Sequence, residues 1–138
     1  MKEGFVSIIA GSKSDEKIVQ DTTKILEENK IEHEINYISA HRQPDKLKEY
    51  LLKSEAYTDV YICTAGLSAA LPGFVASLAQ KPVIAIPVNV KLGGLDALLS
   101  SMQLPSGVPV ATVGIDNGKN AAYLAIRILK LKHGHSPN

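Results

Sequence analysis

Short apolar runs rich in valine and isoleucine alternate along the chain with longer stretches whose apolar residues recur every three or four positions. The runs are FVSIIA (residues 5–10), HEINYIS (33–39), VYICTA (60–65), VIAIPV (83–88) and VATVGI (110–115). Most carry apolar residues on both faces, as parallel strands do when helices cover both sides of their sheet. Between them the spacing predicts helices over residues 15–29, 43–54, 68–78 and 95–102, and a last one over 118–132. In the first of these, Ile18, Thr22, Ile25 and Leu26 fall on one face, while Lys17, Lys24, Glu27 and Glu28 face out. Five β-α units in strict alternation predict an α/β fold: a three-layer α/β/α sandwich with a parallel five-stranded sheet, flavodoxin-like in type. No repeat, low-complexity tract or linker interrupts the alternation, so residues 1–138 are expected to form a single domain. The polar end, residues 132–138, is expected to fray, with its two histidines unstructured rather than metal-binding.

Composition narrows the range of partners. A chain of 138 residues and 14.8 kDa is large enough for a real core and too short for two ordinary domains. With 15 Lys+Arg against 14 Asp+Glu and no charged block, no nucleic-acid surface is expected, and any anionic ligand must be held locally. The only cysteine, Cys63, lies inside an apolar run, which leaves no intrachain disulfide and no multi-cysteine metal site and fits a reducing cytoplasm. The N-terminal apolar run spans only six residues, 5–10, too few for a signal peptide or a membrane span. Neither export nor membrane insertion is expected.

In an open parallel sheet, every strand-to-helix turn emerges on the same edge, and a ligand site is expected where the strand order reverses. The first three turns therefore converge. The first reads AGSKSDEK (residues 10–17), where Gly11 allows a sharp turn and Ser12, Ser14 or Asp15 suits a helix cap or an anion site. It lacks the spacing of a Walker loop or a dinucleotide fingerprint. In the second, SAHRQPD (39–45), Pro44 and Asp45 explain a helix start. They do not explain His41 and Arg42, which read either as a solvated pair or as ligand-binding groups. The third, TAGLSAALPG (64–73), is built of small residues, which permit either a close ligand approach to the backbone or tight helix-sheet packing.

Taken in order, GSKSD after the first strand, SAHR and a proline after the second, an alanine-glycine pair and Leu-Pro-Gly after the third, then KLGGLDALLS and LPSGVPVATV carry a pattern. The set strongly resembles the 5-(carboxyamino)imidazole ribonucleotide mutases and related phosphoribosylaminoimidazole carboxylases of purine biosynthesis. The resemblance spans residues 6–131. It implies that Ser12 and Asp15 hold the ribose-phosphate part of a small ribonucleotide and that Arg42 binds its phosphate. The chemistry agrees, since a guanidinium fork fits phosphate oxygens and a carboxylate accepts from ribose hydroxyls. Ser39 and His41 match residues beside the imidazole ring, with His41 the acid/base that moves a proton on and off ring carbon 4. Gly66, Ser68 and Leu71 complete the implied substrate site. No metal or other cofactor is implied, because the aminoimidazole is itself electron-rich at that carbon. A cytoplasmic homo-octamer is implied, with sites shared between subunits through residues 89–94 and 100–107 and a shortened C-terminal brace.

The sequence also departs from the pattern. Mutases usually carry a histidine just before Leu-Pro-Gly, where this chain has Ala70; together with Ser68 and LPSG (104–107) this resembles the branch that carboxylates 5-aminoimidazole ribonucleotide directly with carbon dioxide. Arg42, Leu71-Pro72-Gly73 and residues 91–100 resemble the mutase branch, which ranks first. GIDNGKNAA (114–122) resembles carboxylases of a pyridinium dinucleotide, yet the cysteine these require near residues 101–106 is missing. A non-catalytic ribonucleotide-binding paralogue is a further alternative, against which stands His41, since phosphate binding alone would need only Arg42.

Overall fold

Val6, Ile8 and Ala10 of the first strand, β1 (Phe5–Ala10), enter one core, and Ile9 enters another. That two-sided burial is what the continuous apolar run demands. In the computed structural model, which describes residues 4–133, β1 leads through one 3-10 turn (Lys13–Asp15) into α1 (Glu16–Glu28). There follow β2 (Glu32–Tyr37), α2 (Pro44–Ser54), β3 (Val60–Gly66), α3 (Leu71–Leu78) and β4 (Val83–Val88). A second 3-10 turn (Leu92–Gly94) precedes α4 (Leu95–Met102), β5 (Ala111–Thr112) and α5 (Gly118–His133). The sheet is parallel throughout, in the order β2-β1-β3-β4-β5.

Helices α1 and α5 cover one face, where Val19, Leu26, Ala121, Ala125 and Leu129 meet Ile8, Ile62, Ile84 and Ile86. Helices α2, α3 and α4 cover the other, where Leu47, Leu51, Val75 and Ala97 meet Ile9, Cys63 and Val83. Each fully buried Leu, Ile or Val contributes roughly 1.5–3 kcal/mol relative to an exposed one. The expected face of α1 is the buried one: Thr22, Ile25 and Leu26 are buried, Ile18 half-buried. Several polar side chains inside the sandwich are paired, as where the hydroxyls of Ser7 and Thr58 lie 2.6 Å apart, whereas the buried hydroxyl of Ser101 finds no partner among the described residues. Among the described residues no helix is long and apolar enough to cross a membrane.

Boundaries differ from expectation where tertiary context intervenes. The edge strand β5 pairs only at Ala111 and Thr112, short of residues 110–115: Pro109 just before it has no N–H to donate, and among the described residues no strand lies beyond it. Helix α3 starts at Leu71 rather than at residue 68: Leu67 turns left-handed (φ 57°), and Pro72 suits a first turn. The expected fraying fails for Lys132 and His133, which belong to α5, and Lys132 pairs with Asp59. The rest of that expectation, His135 included, lies outside the described residues.

Candidate active site

The strand order reverses direction between β1 and β3, and the turns after β1, β2 and β3 meet above that point. They enclose a cavity of about 450 Å³, a size suited to a small organic ligand. All eight residues expected from the sequence line it: Ser12, Asp15, Ser39, His41, Arg42, Gly66, Ser68 and Leu71.

In the first turn, Ser12 Oγ accepts from the Ser14 N–H at 3.2 Å and lies 2.8 Å from Ser14 Oγ, so Ser12 caps the 3-10 turn. Asp15 occupies the N-cap position of α1 and makes no capping bond. Its carboxylate turns inward instead, only 5% of the residue stays exposed, and Thr64 Oγ1 donates to it at 3.4 Å. Burial pushes this carboxyl above its ordinary range; the Thr64 hydrogen bond pulls it partly back, and the charge of Asp116 adds to the push. The turn does not depend on glycine at position 11, since Gly11 has no positive φ and an added Cβ would make ordinary contact with Thr64 O at 3.5 Å.

In the second turn, Ser39 Oγ accepts from the Arg42 N–H at 3.2 Å, and its carbonyl accepts from the Gln43 N–H at 2.8 Å. Those two bonds curl residues 39–43 so that His41 and Arg42 stand exposed on the cavity rim. Among the described residues no hydrogen bond or ion pair occupies either side chain. Both remain available to a ligand.

The third turn combines the two readings its composition allows. Ala65, Ala69 and Leu71 are buried in the core, while Gly66 and Ala70 are half-buried and Leu67 and Ser68 exposed. Gly66 serves packing as much as access: a Cβ there would fall 2.5 Å from Cγ2 of Val90, which reaches over from the loop after β4 to complete the wall. Ala70 precedes α3 without a side-chain cap. Cys63, fully buried in β3, has its thiol pushed far above the ordinary range by burial and behaves as a small hydrophobe.

Sequence reasoning did not assign Thr64 to the site, and it placed Val90 only within residues 89–94, a segment expected to serve the site of a neighbouring subunit. Thr64 was detectable as a polar residue in an otherwise apolar strand, whereas nothing local to Val90 shows that it lines the cavity of its own chain. Among the described residues no three His, Cys, Asp or Glu side chains converge closely enough to hold a metal ion.

The sequence profile described as AIR carboxylase matches residues 5–136. The N5-carboxyaminoimidazole ribonucleotide mutase of Methanocaldococcus jannaschii is 58% identical over 128 residues, which cover 93% of this chain and 80% of that protein. The enzyme of the same name from Thermotoga maritima is 49% identical over 130 residues, covering 93% and 76%. Among solved structures, Treponema denticola PurE superposes with a TM-score of 0.84 at 36% identity, covering 92% of this chain and 80% of that one. With a match running almost end to end in sequence and a shared arrangement in space, this chain belongs to the AIR carboxylase family.

Proposed function

We propose that this single-domain protein is a 5-(carboxyamino)imidazole ribonucleotide mutase of purine biosynthesis, converting its substrate to 4-carboxy-5-aminoimidazole ribonucleotide. The observation that carries the reading is the meeting of an unengaged imidazole and guanidinium, His41 and Arg42, with the buried carboxylate of Asp15 around one cavity of ligand size. The names of the similar proteins favour the mutase over direct carboxylation of 5-aminoimidazole ribonucleotide.

In this reading Arg42 and Ser12 hold the phosphate, Asp15 accepts from the ribose, and Ser39, Gly66, Ser68 and Leu71 bound the ring. The N–C bond of the carboxyamino group breaks and releases carbon dioxide inside the cavity. Ring carbon 4 attacks it, and His41 takes the proton that carbon 4 gives up. The exocyclic nitrogen regains a proton, so the reaction is an isomerisation with no net change in atoms. A positioned acid/base of this kind supplies roughly 100- to 10,000-fold in rate. We further assign a homo-octamer in the cytoplasm, with sites shared between subunits. Support for self-association comes from Leu92, Leu95, Leu99 and Met102, which leave an exposed apolar stripe along and just before α4.

The test offers substrate labelled in the carboxyamino group with unlabelled bicarbonate outside, and in a second tube 5-aminoimidazole ribonucleotide with labelled bicarbonate. Label retained in the first product, with little product in the second, is expected. Rapid product in the second tube at modest bicarbonate would reassign the chain to direct carboxylation. Replacing His41→Asn is expected to cut turnover about 100-fold or more while leaving ligand affinity nearly intact.

A further inference from the structure

Val90 stands in the cavity wall, yet its loop is poorly anchored from below. Lys91, Leu92 and Gly93 are exposed, and Leu92, Gly93 and Gly94 all carry positive φ. What ties this loop down comes from the turn that follows β5, 27 residues further along the chain. Asp116, in the turn between β5 and α5, accepts the Asn89 N–H on Oδ1 at 2.9 Å, and its own N–H donates to the Pro87 carbonyl at 2.8 Å. Ile115 beside it packs so closely on Gly94 that a Cβ there would meet Ile115 Cγ2 at 2.7 Å. Asp116 itself adopts φ 61°, the left-handed region that aspartate and asparagine tolerate better than other side chains. With the backbone held there, one carboxylate oxygen reaches the Asn89 N–H while the residue stays exposed to solvent.

We infer that Asp116 is a positioning residue: its carboxylate latches the β4–α4 loop and thereby fixes Val90 against Gly66 in the wall of the substrate cavity. The inference rests on the functional reading above. Its physical content is a population. With the latch closed the loop spends its time in the binding-competent position; with the latch gone only a fraction of molecules have Val90 in place. The apparent affinity falls by that fraction, whereas saturating substrate restores the closed loop and hence kcat. A residue that merely supported overall stability would do the reverse, reducing the amount of active enzyme at unchanged KM.

Two variants separate the carboxylate from the backbone. Asp116→Gly keeps the left-handed turn at no steric cost and removes the latch, while Asp116→Asn keeps both the turn and an oxygen that accepts from Asn89. For D116G, KM for 5-(carboxyamino)imidazole ribonucleotide is expected to rise about tenfold with kcat held, the scale of one lost charge-assisted hydrogen bond. D116N is expected to restore KM. Hydrogen exchange at the Asn89 amide is expected to be slow in the natural protein and in D116N and about tenfold faster in D116G. Natural KM in D116G, a loss confined to kcat, or a D116N that behaves as D116G would overturn the inference. So would fast exchange of the Asn89 amide in the natural protein, a measurement that needs no variant to fold. If the natural protein turns over no carboxyamino substrate, the functional reading fails by itself, and the exchange of Asn89 still decides the latch.

Discussion

At the scale of single residues, Asp15 shows a conflict between stability and function. Its carboxyl is buried against Thr64 with its affinity for protons raised, so ionisation at neutral pH works against folding. The sign follows from linkage: a raised value in the folded state gives stability that is complete below the ordinary value of 3.8 and is lost as pH rises through the raised one. Asp15→Asn is therefore expected to unfold at higher denaturant than the natural protein at pH 7, with the gap closing as pH falls toward 4. The same variant should bind the ribonucleotide more weakly, by about 1.5–3 kcal/mol, if the carboxylate accepts from a ribose hydroxyl. Denaturant titrations at several pH values together with ligand titration check both halves; a variant less stable at pH 7 would contradict the buried-charge argument. Residue identity in the sequence pointed to Asp15 but not to its posture. Capping and inward burial use the same letter, and only the neighbouring strand's Thr64 decides between them.

At the scale of elements, the most legible were those whose surroundings are uniform. Strands β1 and β4 and helix α4 begin and end where periodicity places them, because β1 and β4 lie inside the sheet with apolar neighbours on both faces and α4 starts after a glycine pair. The edge strand β5 was least legible: pairing on one side only, it shrinks to residues that apolar character alone does not single out. The packing of α1 on α5 has the same non-local origin. A Cβ on Gly118 would lie 2.4 Å from Thr22 Oγ1 and 2.5 Å from the Ile18 carbonyl, so the start of α5 sits directly on the backbone of α1. Backbone cannot yield as a flexible side chain would. Gly118→Ala is expected to destabilise the protein by about 1–3 kcal/mol despite the better helix propensity of alanine, as measured by denaturant midpoint at constant m-value. A neutral or stabilising effect would show that the two helices can separate slightly without loss.

At the scale of the whole molecule, the cavity draws on three successive turns from the first half of the chain and is closed by Val90 from the second. The first part was legible because parallel topology sends those turns to one edge; the closure was not, because it depends on which loops happen to lean together. Assembly belongs to this scale too. The exposed side chains of Leu95 and Met102 lie on one stripe of α4. Leu95→Glu with Met102→Lys places charges that suit the two ends of that helix and is expected to leave the monomer folded while dissociating the proposed octamer, read by sedimentation. An assembly of unchanged size in that double variant would move the interface elsewhere, and a natural protein that sediments as a monomer would remove the proposed octamer. If sites are shared, activity falls with assembly.

Cys63 supplies a way to tell these failures apart. It is the only thiol in the chain, fully buried in the central strand and disinclined to ionise. An alkylating reagent added to the native protein must therefore wait for the sheet itself to open. Its rate of modification times global opening without a probe having to be engineered. Loss of assembly or of the Asn89 latch should leave that rate unchanged, whereas a wedge between α1 and α5 should quicken it.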